Sequence, residues 1–121
     1  KTMSNMKSKI EIINEVASHF NATNRALDPN GDCAYITEDG RKCAVGMFLN
    51  NAEDFLGDST AAEHLLLKKG FGILKEEYRI ENPTFWNDLQ MLHDREMYWD
   101  EKGLTQKGER QKALLIKAYT N

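Results

Sequence analysis

Apolar positions recur at helical spacing along the first segment. Met6, Ile10, Ile13, Ala17 and Phe20 follow at steps of four and three, which predicts one face of a helix over residues 4–20. Ile12 and Val16 widen that face, while Lys7, Lys9, Glu11, Asn14 and Glu15 cover the other. Asn21 and Asn24 suit its end, because Asn tolerates the left-handed conformation. Residues 28–32, Asp-Pro-Asn-Gly-Asp, are turn chemistry: proline presets one dihedral and Asn-Gly accepts positive φ. Two short runs, 33–36 and 41–44, flank Thr37-Glu38-Asp39-Gly40 and predict a β-hairpin near residues 33–44. The runs are barely strand length, so this hairpin needs support from helices.

From Cys43 the period turns helical through Ala44, Val45, Met47, Phe48 and Leu49, and Asn50-Asn51 should stop it. Residues 52–58 read as a loop anchored inward by Phe55 and Leu56. Thr60 and Glu63 match a capping box, opening a helix that closes at Lys68-Lys69-Gly70. Residues 71–78 form a short, apolar-sided piece carrying Ile73, Leu74 and Tyr78. Asn82-Pro83-Thr84 starts a helix with Phe85, Leu89, Met91 and Leu92 toward one side, ending near Asp94. Gly103 separates it from a last helix, capped by Thr105 and reaching Tyr119, with Ala113, Leu114, Ile116 and Tyr119 facing inward. With no internal repeat or linker, the chain reads as a single domain over 1–121. Its class is mostly α (α+β), a small helical domain with one short hairpin. Residues 1–5 read as an appended start, with Met3 or Met6 as the natural one.

Composition narrows the class. The 121 residues are 40% hydrophobic and 29% charged, an ordinary globular balance. The net charge of −3 and pI near 5.6 disfavour a dedicated nucleic-acid binder. No apolar run approaches the roughly 20 residues of a membrane span, and the start lacks a signal-peptide core. The expectation is a cytoplasmic protein whose two cysteines, Cys33 and Cys43, stay reduced.

Candidate chemistry centres on Cys43. A cysteine where a strand passes into a helix meets amide donors and a helix dipole, and Arg41 and Lys42 add positive charge; together these favour a thiolate. The base would come from His93 or His64, which with His19 are the only histidines. Against this stands a plain structural role, since cysteine is among the residues most often buried. Nine residues separate the cysteines, too many for the usual zinc spacing, so no metal and no cofactor is expected. A two-residue Asp39-Gly40 loop would place Ile36, not Cys33, opposite Cys43, which disfavours a disulfide. His93 and Asp94 are helical neighbours about 100° apart, so no preset dyad is expected. Glu53-Asp54 and Glu76-Glu77 read as solvated faces. Residues 82–102 carry Phe85, Trp86, Met91, Met97, Tyr98 and Trp99, more aromatic surface than one helix stripe buries. Trp86, Tyr98 and Trp99 are therefore candidate interface anchors.

The stretch Asn24-Arg25, then Cys33-Ala34-Tyr35, then Asp39-Gly40-Arg41-Lys42-Cys43-Ala44-Val45-Gly46 with Leu49, resembles an uncharacterised family of small bacteriophage and bacterial mobile-element proteins. A later Leu89-Gln90-Met91-Leu92-His93-Asp94 is similar to that family's second motif, so the resemblance spans about residues 24–94. It implies a phage context and a host-cell cytoplasm, but carries over no activity. The expected function is a non-enzymatic phage protein that binds and modulates a host or host-defence protein through Trp86, Tyr98, Trp99, Arg41 and Lys42. The rivals are a cysteine-dependent enzyme using Cys43 and His93, and a nucleic-acid-associated regulator using Arg25, Arg41, Lys42, Lys68 and Lys69.

Overall fold

The first apolar stripe forms helix α1, Lys9–His19, in the computed structural model, which describes residues 6–26, 34–58 and 60–120. The helix starts at a capping box that the periodicity did not reveal. Ser8 Oγ accepts from the Glu11 amide at 3.1 Å, and Glu11 Oε1 accepts from the Ser8 amide at 2.8 Å. Ile12, Ile13 and Val16 are its buried face. Asn21 and Asn24 close the helix through their side chains rather than a left-handed backbone. Asn24 Nδ2 donates to the His19 carbonyl at 2.8 Å, and Asn24 Oδ1 accepts from the Asn21 amide at 2.8 Å. Among the described residues, positive φ occurs only at glycine. The expected 28–32 turn and Cys33 lie outside the described residues.

The protein is mostly helical with one short antiparallel hairpin, as the pattern predicts, but the paired strands lie elsewhere in the chain. They are β1, Trp99–Asp100, and β2, Gly103–Leu104. Asp100 Oδ1 accepts from the Lys102 and Gly103 amides at 2.9 and 3.2 Å, and Gly103 takes a φ of 135°. An Asp side chain thus builds this turn, a signal hidden in a segment without strand alternation. Near residues 33–44 the chain does reverse, with Ile36 and Lys42 forming a single bridge. The loop is longer than two residues, because the Thr37 amide donates to the Arg41 carbonyl at 2.8 Å and Thr37 Oγ1 accepts from the Arg41 amide. That pairing shifts the register by one and sets Ile36 opposite Lys42 instead of Cys43.

The expected helix from Cys43 is only a 3₁₀ turn, Gly46–Phe48, followed by a second, Ala52–Phe55. In a three-residue repeat Ala52 and Phe55 share a side, so both are buried and Leu56 turns out to solvent, 53% exposed. The Thr60–Glu63 capping box does not form. The Thr60 carbonyl accepts the Tyr35 hydroxyl, its amide donates to Asp58 Oδ1, and helix α2, Ala62–Lys69, begins after it without a side-chain cap. Gly70 closes α2 at a φ of 86°. Residues 71–78 are two 3₁₀ turns, Phe71–Ile73 and Glu76–Tyr78, with Leu74 bridging to Leu49 between them.

Helix α3, Pro83–Asp94, is capped by Asn82, whose Oδ1 accepts from the Phe85 amide at 3.1 Å. Helix α4, Gln106–Tyr119, is capped by Thr105 through the Gly108 amide. Its inward stripe is Gly108 and Leu115, with Ile116 and Tyr119 partly covered; Leu114 and Ala113 are exposed instead of buried. Gly108 sets this rotation. A Cβ there would sit 2.3 Å from the Tyr98 carbonyl, so only glycine lets α4 lie this close to the 96–98 turn. Tyr119 then packs edge-on against Phe85 and donates to Asp88 Oδ2 at 2.6 Å. Helix α2 packs on α3 and α1 on α4, around a core that includes Ile12, Val16, Tyr35, Phe48, Leu66, Phe85 and Leu89.

Candidate functional site

Both tryptophans of the expected interface are core residues. Trp86 is 0% exposed, its Nε1 donates to the Ile80 carbonyl at 2.9 Å, and its ring packs against Phe48 and Phe85. Trp99 is 4% exposed, donates from Nε1 to the Leu92 carbonyl at 2.9 Å, and meets Phe20 edge-on. Two things cover them. The 46–48 turn lies on Trp86, and the 99–104 hairpin turns Trp99 inward. Each indole N–H finds a carbonyl, which removes the polar cost of burial. Tyr98 is half-buried and offers its backbone carbonyl to α4. Met91 and Met97 remain exposed.

Cys43 is also buried, and its Sγ accepts from the Gly46 amide at 3.2 Å. The amide-rich junction expected from the motif is therefore present, but it is closed to solvent. Native protein should react with an alkylating reagent at Cys43 far more slowly than unfolded protein does. Mass spectrometry of the Cys43 peptide checks this; modification at the unfolded rate would return the nucleophile reading to the front.

The two sequence motifs converge in space. Arg25, from the first, reaches the end of α3, from the second. Its Nη1 donates to the carbonyls of His93 and Asp94 at 3.0 and 3.1 Å, satisfying acceptors that a helix C-terminus leaves open. Burial lowers the guanidinium pKa from its usual value, while the Asp94 and Glu96 carboxylates oppose this. Arg41 in turn donates from Nη1 to the Arg25 carbonyl at 3.1 Å and from Nε to both Asp39 oxygens, each at 3.1 Å. A chain of contacts thus runs from the exposed 37–41 loop to the buried end of α3.

His93 and Asp94 do form a pair, at 2.7 Å between Nδ1 and Oδ1, contrary to the helical-wheel expectation. Asp94 is the last residue of α3, and its short side chain swings back to meet both His93 and Gln90 Nε2, the latter at 2.8 Å. Three buried polar atoms of this cluster have no hydrogen-bond partner among the described residues: Arg25 Nε, Gln90 Oε1 and His93 Nε2. Burial lowers the His93 pKa; the Asp94 carboxylate pulls it up and Arg25 adds to the lowering. The ring is therefore neutral at pH 7, with Nδ1–H donating to Asp94.

This has a consequence for acid stability. Below about pH 6.5 the unfolded chain protonates His93, while the folded chain resists the proton until its lowered pKa is reached. Folding stability contributed by the neutral ring is full above that pH and falls as the solution is acidified. Urea denaturation between pH 5 and 8 should show the decline, and His93→Gln should remove that part of it. A wild-type stability that holds steady down to pH 5 would contradict it.

Outside this network the surface folds into a groove of about 480 Å³, lined by His19, Asn24, Gly40, Arg41, Lys42 and Met47. Arg41 and Lys42 were expected at a binding site; His19 and Met47 were not. His19 joins them at the end of α1, where Asn24 Nδ2 donates to its carbonyl. Among the described residues no group of three or more His, Cys, Asp or Glu side chains is placed to hold a metal ion, and no described helix is long and apolar enough to cross a membrane. Comparison with protein-family models, curated proteins and solved structures finds no match to this chain.

Proposed function

We propose that this chain is a non-enzymatic interaction protein of a phage or mobile element. It binds and modulates a host or host-defence protein in the host-cell cytoplasm. The observation that carries the reading is the groove. It gathers Asn24, Gly40, Arg41 and Lys42 from separate stretches of one motif and opens them to solvent. Behind it, Arg25 and the end of α3 use the second motif as a rigid support. Rigid support lowers the ordering cost of binding. The enzyme alternative has less support, since Cys43 and His93 are both wholly buried and a substrate needs access to the sulfur. The nucleic-acid alternative loses Arg25, which is spent inside the fold.

The test is capture from host lysate on immobilised protein, with bound proteins quantified by mass spectrometry. A specific host protein should be retained by wild type and lost with Lys42→Ala and Arg41→Ala at unchanged melting temperature. Lys42→Ala decides the matter if Arg41→Ala unfolds the loop. Capture that ignores both substitutions places the binding surface elsewhere and defeats this reading.

A further inference from the structure

Resting on that reading, we infer that the groove takes a carboxylate-bearing segment, an acidic peptide stretch of the protein partner. Among the described residues that line it, Arg41 and Lys42 are cations and none is a carboxylate. This is a local inversion on a chain whose net charge is −3. Such a wall attracts an anionic group and repels a cationic one.

The geometry of Arg41 specifies the anion further. Its Nε already lies 3.1 Å from both oxygens of Asp39, and its Nη1 is anchored to the Arg25 carbonyl. The Nη1 anchor on the Arg25 carbonyl does not depend on Asp39 and orients the planar guanidinium toward an incoming carboxylate. The Arg41–Asp39 pair is solvent-exposed, with side chains 42% and 64% accessible. Exposed pairs of this kind are weak, so an incoming carboxylate competes with Asp39 at little cost. Met47 supplies an adaptable apolar floor for the stem of a Glu or for a neighbouring apolar residue.

Size and charge select the peptide over a nucleic acid. A volume of about 480 Å³ is that of a small-ligand pocket, room for a few side chains. A phosphate backbone presents a long ladder of charges, and it gains affinity by neutralising many of them. This groove supplies two cations, and the rest of the chain repels a polyanion.

Fluorescence anisotropy tests the inference. The probes are a fluorescein-labelled hexapeptide of Glu and Ala, its counterpart with Gln for Glu, and a labelled oligothymidine of similar length. The Glu peptide should bind, and its affinity should fall as salt is raised. The Gln peptide should bind at least about tenfold more weakly, and Lys42→Ala should weaken the Glu peptide about threefold or more. Asp39→Asn should tighten it, because the internal competitor is gone. That gain cannot come from a loss of folding. Tighter binding of oligothymidine than of the Glu peptide, lost with the same substitutions, overturns the peptide in favour of phosphate. No binding of the Glu peptide, while lysate capture still depends on Lys42, overturns the carboxylate ligand and leaves the interaction reading standing. Failure of both removes both.

Discussion

Trp86→Ala lowers the stability of the folded protein by about 3–5 kcal/mol, the cost of truncating a core aromatic. The reason is the completeness of its burial. No part of Trp86 reaches solvent, its ring fills the space between Phe48 and Phe85, and its indole N–H is spent on the Ile80 carbonyl. Removing the ring leaves a cavity and an unpaired carbonyl together, and both terms have the same sign. In a domain of this size the melting temperature should fall by roughly 12–20 °C. Thermal denaturation followed by circular dichroism measures it. An unchanged melting temperature, with a partner lost, would restore the expectation that this tryptophan faces outward.

Gly46→Ala is expected to cost about 3 kcal/mol or more, at the upper end of overpacking substitutions, although it adds only one methyl group. A Cβ at Gly46 would lie 1.9 Å from the Tyr35 carbonyl oxygen and 2.9 Å from its carbon. Both are backbone atoms and cannot rotate away. Tyr35 is itself held, by its hydroxyl on the Thr60 carbonyl and by its carbonyl accepting from the Cys43 amide. Either the 43–48 turn or the 34–36 segment must move. Gly72 is the matched control, because nothing lies within 4 Å of its Cβ position. Gly72→Ala should change stability by no more than about 1 kcal/mol, through the unfolded chain alone. Chemical denaturation of the two variants side by side checks both, and equal midpoints would show that the close approach at Gly46 is not there.

Gly46 also explains why one motif invited two accounts. The run from Tyr35 to Gly46 has the residues of a reactive-cysteine site: a turn, two cations, a cysteine, then a helix-like run. The same residues serve as packing, with Tyr35 over Gly46, Cys43 beneath the turn, and Ala44 and Val45 buried. Composition at that spacing supports either account. Only the distance from the Tyr35 carbonyl to Gly46, and the absence of solvent at Cys43, separate them.

What the chain determined locally is what depends on near neighbours: the stripe of α1, the Asn82 and Thr105 caps, the Gly70 stop, and the mostly helical class. These rest on contacts within a few residues, which spacing and cap chemistry encode directly. Tertiary structure decided the rest. Thr60 caps no helix, and its carbonyl instead accepts the hydroxyl of Tyr35, from 25 residues away. The rotation of α4 followed from Gly108 against Tyr98, and so exchanged Leu114 for Leu115 in the core. Trp86 and Trp99 went inside because rings far along the chain, Phe48 and Phe20, were there to receive them, while nearby carbonyls took their indole N–H groups. The candidate site formed because Arg25 spans 68 residues to the end of α3 while Arg41 reaches back to Arg25. A pattern along the chain reports which residues are apolar or charged. Which of them meet is settled by packing between elements far apart in sequence, and on that meeting both the core and the groove depend.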